Sequence, residues 1–173
     1  MKMFIKASLS LIILLAMLYP ASASSQLRWG QVSLVGNPAP DFELSTLDGS
    51  LKSFDKFRDG NNAIIFFWTT WCPHCRSQLM ALSNKKAEFE RTNIKIILVN
   101  EGETETVVKA FLNNNSVEFD VFFDDEGSVG RKYQVVGIPT FYFIDSAGTV
   151  KATEHFIPDD YGSFFARGSK YKK

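Results

Sequence analysis

The chain is predicted to adopt an α/β fold, a central sheet with helices on both faces. Two short runs, residues 63–68 and 94–99, are apolar except for Lys95 and rich in β-branched or aromatic side chains, as strands buried on both faces are. Apolar residues at helical spacing follow each run, with Leu79, Leu82 and Phe89 after the first and Val107, Val108, Phe111 and Leu112 after the second. Turn-forming Gly, Asn and Asp separate the segments.

At the N-terminus, Lys2 and Lys6 precede an apolar stretch over residues 9–19, and Ala21-Ser22-Ala23 has the small-x-small pattern of a cleavage site. The stretch is shorter than the ~20 residues that span a bilayer. Residues 1–23 are therefore expected to be a secretory signal cleaved after Ala23, with an uncleaved N-terminal anchor as the alternative. No cysteine follows the apolar run, which argues against a lipid anchor there. Residues 24–173 then form one domain. Without Lys2 and Lys6 the chain keeps 17 basic and 19 acidic side chains, a net charge of −2. That balance argues against nucleic-acid binding. A monomer in the periplasm or another exported setting is expected.

Residues 24–35 read as a lead-in or first strand. Phe42-Glu43-Leu44 and Leu51-Lys52-Ser53-Phe54 flank Asp48-Gly49, a hairpin signal. The strand around residues 64–68 leads into a helix continuing to about Arg91. After the strand at 94–99, residues 104–114 read as a helix ended by Asn113-Asn114-Asn115. Residues 119–123 form a short strand, and a turn or helix follows near 127–133. Phe141-Tyr142-Phe143-Ile144 and Thr149-Val150 flank a turn at Ser146-Ala147-Gly148. Pro158-Asp159-Asp160 can open a short last helix, and the basic residues 167–173 are expected to fray.

The chemistry concentrates in Trp71-Cys72-Pro73-His74-Cys75, which holds the only two cysteines of the chain. Their spacing suits one helical turn, and a disulfide closing so short a loop stabilises little through chain entropy. Reversible exchange is a better reason for the pair. Pro73 fits the first turn of the helix, where a missing N–H costs nothing. Cys72 then sits at a strand-to-helix junction, where unpaired N–H groups and the helix dipole favour a thiolate. Thiols so placed titrate at roughly 3.5–7.5 against about 8.5 for a free cysteine. His74 can stabilise the thiolate further, which favours the reduced pair. Cys75, one turn inward, is the more buried and less acidic thiol, suited to resolve a mixed disulfide.

These residues resemble the thioredoxin-like fold, and the likeness extends over residues 35–156. Val136-Gly137-Ile138-Pro139-Thr140 resembles the cis-proline loop of that fold. The resemblance implies a cis Ile138–Pro139 bond, a loop packed against the cysteine pair, and Ile138 backbone that pairs with an extended substrate. Gly36-Asn37-Pro38-Ala39-Pro40-Asp41-Phe42 resembles the opening of the secreted or membrane-tethered ResA/TlpA-type thiol reductases, an opening that peroxiredoxins share. Some of that branch serve cytochrome c maturation. By resemblance, the segments at 104–114 and 119–123 are a helix–strand insertion in the core, and Trp71 flanks the reactive thiol as an apolar docking surface. The same likeness implies protein thiol and disulfide substrates, a membrane thiol-shuttling partner that regenerates the pair, and no cofactor beyond the Cys72–Cys75 disulfide.

Two positions depart from the branch. Phe66 stands where many thioredoxins carry a buried Asp, and Gln78 stands where ResA-type reductases often carry a Glu. Either acid would accept a proton from the resolving thiol. Glu101 is a candidate substitute, an exposed loop residue being the competing reading. The Pro-His dipeptide resembles that of the periplasmic oxidant DsbA, so a thiol oxidase is the alternative direction. A thiol peroxidase is the enzymatic rival: Thr69 matches the Thr of Pro-x-x-x-Thr-x-x-Cys, but Ile65 fills the proline position. A Cu(I)-handling protein using both thiolates and His74 is the non-enzymatic rival. A zinc site needs about four ligands, and of the two histidines that could join the cysteines, His74 and His155, the first is locally constrained; haem attachment would need His where Arg76 stands. His155 reads as a surface residue of a strand or loop.

Overall fold

The computed structural model describes residues 33–166. The expected signal at 1–23, nearly all of the expected lead-in and the tail at 167–173 lie outside the described residues. Seven strands form one sheet: β1 (Glu43–Thr46), β2 (Leu51–Ser53), β3 (Ala63–Trp68), β4 (Lys95–Glu101), β5 (Asp120–Asp124), β6 (Thr140–Ile144) and β7 (Val150–Glu154). Their order across the sheet is β2-β1-β5-β4-β3-β6-β7. β3, β4 and β5 run parallel, while β1, β6 and β7 join antiparallel.

All six side chains of β3 are buried. Side chains alternate across a strand, so Ile64, Phe66 and Trp68 enter one core while Ala63, Ile65 and Phe67 enter the other. The first core is roofed by α2 (Pro73–Asn84), α3 (Lys86–Arg91) and α4 (Glu105–Asn114), through Leu79, Leu82, Phe89, Val108 and Leu112. A closing 3₁₀ turn, Tyr161–Phe165, adds Tyr161 and Phe164 to it. The second core is covered by α1 (Phe54–Arg58) and α5 (Ser128–Lys132), through Phe54 and Val129. Among the described residues no helix is long and apolar enough to cross a membrane.

The expected hairpin forms, with Gly49 at φ 77° in its turn, a conformation that glycine adopts without strain. Phe54 does not extend β2. It starts α1, a five-residue helix capped by the Ser53 hydroxyl and too short to show periodicity. The single helix expected from the cysteines to Arg91 breaks at Lys85. Ser83 and Asn84, both weak helix formers, precede the break. Beyond it Phe89 packs 5.2 Å from the Tyr161 ring. The inserted segment is part of the sheet, because β5 pairs with β4 on one side and with the hairpin strand β1 on the other.

Phe66 stacks on Phe141 of β6 with ring centroids 4.2 Å apart and planes within 4° of parallel. Truncation of so large a side chain in a filled core costs about 3–5 kcal/mol. Phe66→Ala is expected to lower the unfolding free energy by that amount, seen as a lower urea midpoint with little change in slope, which equilibrium unfolding measures.

Candidate active site

β3 ends at Trp68, three residues turn, and Cys72 becomes the N-cap of α2 with Pro73 in the first turn. Cys72 and Cys75 are joined by a disulfide, with Cα atoms 5.2 Å apart. The backbone N–H of Cys75 donates to Cys72 Sγ at 3.2 Å. A disulfide sulfur thus takes the place of the Ser or Asp oxygen that usually caps a helix, and the helix end is aimed at the outer sulfur. Cys75 is fully buried and Cys72 is 5 % exposed, so Cys75 is the more buried of the two, as its position one turn inward predicts. Trp71 is 65 % exposed beside them, and His74 is exposed.

Across from the pair, the Ile138–Pro139 peptide is cis. Pro139 is buried and Ile138 half-buried. A groove of about 410 Å³ runs between the two segments, lined by His74, Gln78, Ile138, Pro139, His155 and Phe156. The Thr140 hydroxyl donates to the Gly137 carbonyl at 2.6 Å and closes the loop on itself. His155 is exposed, as its sequence position suggests, but its Nδ1 lies 2.8 Å from the Pro139 carbonyl. Gln78 Oε1 accepts the N–H of Ile157 at 2.7 Å, tying α2 to the chain beyond β7. No local pattern announces either contact, since each joins residues more than 15 positions apart.

The loop before Cys72 is held by a carboxylate that sequence reasoning missed. Glu103 accepts the Thr70 N–H at 2.6 Å, the Thr70 hydroxyl at 2.5 Å and the Asn100 side-chain amide at 2.8 Å. Arg76 Nε donates to the Thr70 carbonyl at 2.6 Å, and its guanidinium lies 5.7 Å from the centre of the Phe111 ring. Asn100 is fully buried at the end of β4. The available signal was a polar Asn in an apolar strand, since a buried amide needs a partner nearby.

Glu101 is neither an exposed loop residue nor a partner of the cysteines. It ends β4 with alternation that turns it toward the second core, on the face opposite the pair. A Cβ at Gly130 would lie 2.4 Å from Glu101 Oε1, so the glycine makes room for this carboxylate. Burial, and then the neighbouring Asp124, push the Glu101 carboxyl above its ordinary range. Asp124 is itself buried and accepts the backbone N–H groups of Val129 and Gly130. Ile65, at the proline position of the peroxidase pattern, also belongs to the second core, whereas Thr69 is buried in the turn before Cys72. Among the described residues no three His, Cys, Asp or Glu side chains are grouped to hold a metal ion.

Glu103→Ala removes the side-chain acceptor of three donors and is expected to cost about 2–3 kcal/mol. Glu103→Gln, which retains one carbonyl acceptor, is expected to lose less. Denaturant unfolding of the two variants measures the difference. For Glu101, the folded chain disfavours the ionised form, so its contribution is most favourable at acid pH and declines as pH rises through the raised value. Glu101→Gln should raise the thermal midpoint at pH 7, and the gain should shrink toward pH 4, as calorimetry at both pH values will measure.

The AhpC/TSA family matches residues 35–153. The thiol-disulfide oxidoreductase ResA of Oceanobacillus iheyensis is 30% identical over 151 residues, covering 86% of this chain and 79% of its own length. ResA of Bacillus subtilis is 27% identical over 150 residues, 86% of this chain and 82% of its own. Among solved structures, a Chlorobium tepidum protein described as a thiol:disulfide interchange protein DsbE superposes with a TM-score of 0.66 at 30% identity, over 73% of this chain and 89% of that one. StoA from Bacillus subtilis superposes with a TM-score of 0.58 at 25% identity, over 68% of this chain and 88% of that one. With its cysteine pair at the start of α2 opposite a cis-proline, the chain belongs to the AhpC/TSA family, in the ResA-like thiol-disulfide oxidoreductase branch of the thioredoxin fold.

Proposed function

We propose that this chain is an exported reductase of protein disulfides, working through Cys72 and Cys75 as its only redox group. The observation that carries the reading is the Cys75 N–H directed at Cys72 Sγ at the start of α2. Once the disulfide opens, the same donor and the helix end favour a Cys72 thiolate. Cys72 attacks a substrate disulfide and forms a mixed disulfide. Cys75 then attacks Cys72, releases the substrate thiol and restores the internal bond. Pro73 and His74 tune the pair, and exposed Trp71 offers an apolar surface beside the reacting sulfur. Ile138 and Pro139 shape the groove that receives an extended segment of the substrate.

The likeness to ResA proteins favours the reducing direction and a setting such as cytochrome c maturation. A membrane thiol-shuttling protein would return electrons to the pair, and the chain would act as a monomer. The signal-like residues 1–23 support export, by cleavage or as an anchor. One observation favours the opposite direction. His74 stands between the cysteines and lines the groove, where a positive charge would stabilise the thiolate and make the disulfide more oxidising.

Cys72→Ser is expected to abolish reduction of a protein disulfide, and Cys75→Ser to accumulate a mixed disulfide visible by mass spectrometry. The potential of the pair against glutathione separates the two directions. A value near about −270 mV supports the reductase, and one near about −120 mV the oxidant.

A further inference from the structure

We propose that His155 is the acid–base group for the substrate's thiol. The inference rests on the exchange chemistry proposed above. His155 Nδ1 lies 2.8 Å from the carbonyl oxygen of Pro139 and 3.4 Å from Thr140 Oγ1. A carbonyl can only accept, so Nδ1 must carry a hydrogen. The Thr140 hydroxyl already spends its hydrogen on the Gly137 carbonyl at 2.6 Å, so it too faces Nδ1 as an acceptor. Two acceptors therefore set one tautomer. In the neutral ring the lone pair is then on Nε2, and a ring nitrogen's role follows from the bond its partner makes.

That ring lines the same groove as His74, which stands between the two cysteines in the chain, and Pro139 of the cis-proline loop, so a substrate held in the groove lies beside both the imidazole and the start of α2. Among the described residues that line the groove, His74 is the other titratable side chain, and Glu154 precedes His155 at the end of β7. The two acid positions of the branch are filled by Phe66, in the core, and by Gln78, whose oxygen is engaged by Ile157. Imidazole is the side-chain base that titrates nearest neutral pH.

With the pair oxidised, a substrate thiol gives its proton to Nε2 as its sulfur attacks Cys72 Sγ. The Cys72–Cys75 bond breaks, its electron pair leaves on Cys75, and the mixed disulfide forms. In the reducing direction Cys75 thiolate attacks Cys72, and the imidazolium protonates the departing substrate thiolate.

The magnitude is bounded by the thiol itself. A cysteine with a pKa of about 8.5 is ionised only to about 3% at pH 7, so a base that ionises it can raise the rate by at most about 30-fold. Above about pH 9 the substrate ionises unaided and the advantage vanishes.

The test uses the full oxidised chain, a peptide with one ordinary cysteine as the thiol, and the variant His155→Asn. Its side-chain amide can still donate to the Pro139 carbonyl but offers no base. Stopped-flow rates of mixed-disulfide formation are expected to fall by about 10- to 30-fold at pH 7 and to match the wild type near pH 9.5. Exogenous imidazole is expected to restore part of the loss in His155→Ala. A variant as fast as the wild type at pH 7 overturns the proposal. So does a loss of equal size at both pH values, which is the mark of a purely structural residue. Failure of the underlying reading is distinguishable, since the oxidised wild type would then react with the peptide thiol no faster than Cys72→Ser does.

Discussion

Six consecutive side chains of β3 have no access to water, and the placement of the cysteines follows from that constraint. A strand buried on both faces needs a partner on each edge and a cover over each side. β4 and β6 supply the edges, and two separate helical layers supply the covers. The chain can then emerge only at the strand's end, beside the ends of the neighbouring strands. Cys72 lies four residues beyond Trp68, and Thr140, which begins β6, pairs nearby across Phe67. The cis-proline and the thiols face one another because both leave the sheet at the same end.

Around the apolar pair, polar side chains act mainly on backbone. Glu103 holds the turn before Cys72, Gln78 holds the segment after β7, and His155 holds the carbonyl of Pro139. The two neutral residues at the branch's acid positions have a structural logic of their own. Phe66 is stacked in the core on Phe141, where a carboxylate would lose its hydration without a counter-charge. Gln78 gives an amide oxygen to a backbone donor, a bond that needs no charge.

Much of this was legible in the chain. The doubly buried strands, the hairpin turn and the helix start at Pro73 are local patterns, and each lies where those patterns place it. The cis-proline loop was legible only through its likeness to a family, because nothing in a Gly-Ile-Pro-Thr run fixes a peptide isomer. Local pattern failed wherever the deciding contact was distant. α1 has only five residues, and Lys85, where the helix breaks, meets Asp159 and the Tyr161 ring, far along the chain. Glu101 and Glu103 look alike in sequence. Strand alternation turns one toward the far core, and the loop returns the other to Thr70.

The pairing of β1 with β5 has a consequence for how the chain reaches its native state. Ser45 and Phe123 are in register across 78 intervening steps of sequence. During synthesis the early hairpin must wait, half-covered, until the helix–strand insertion has been made. Closing so wide a loop is entropically slow. Until then β5 has an open flank able to template intermolecular pairing. The hairpin is thus a built-in guard strand, and shortening it would expose this protein to self-association before it altered the thiol chemistry.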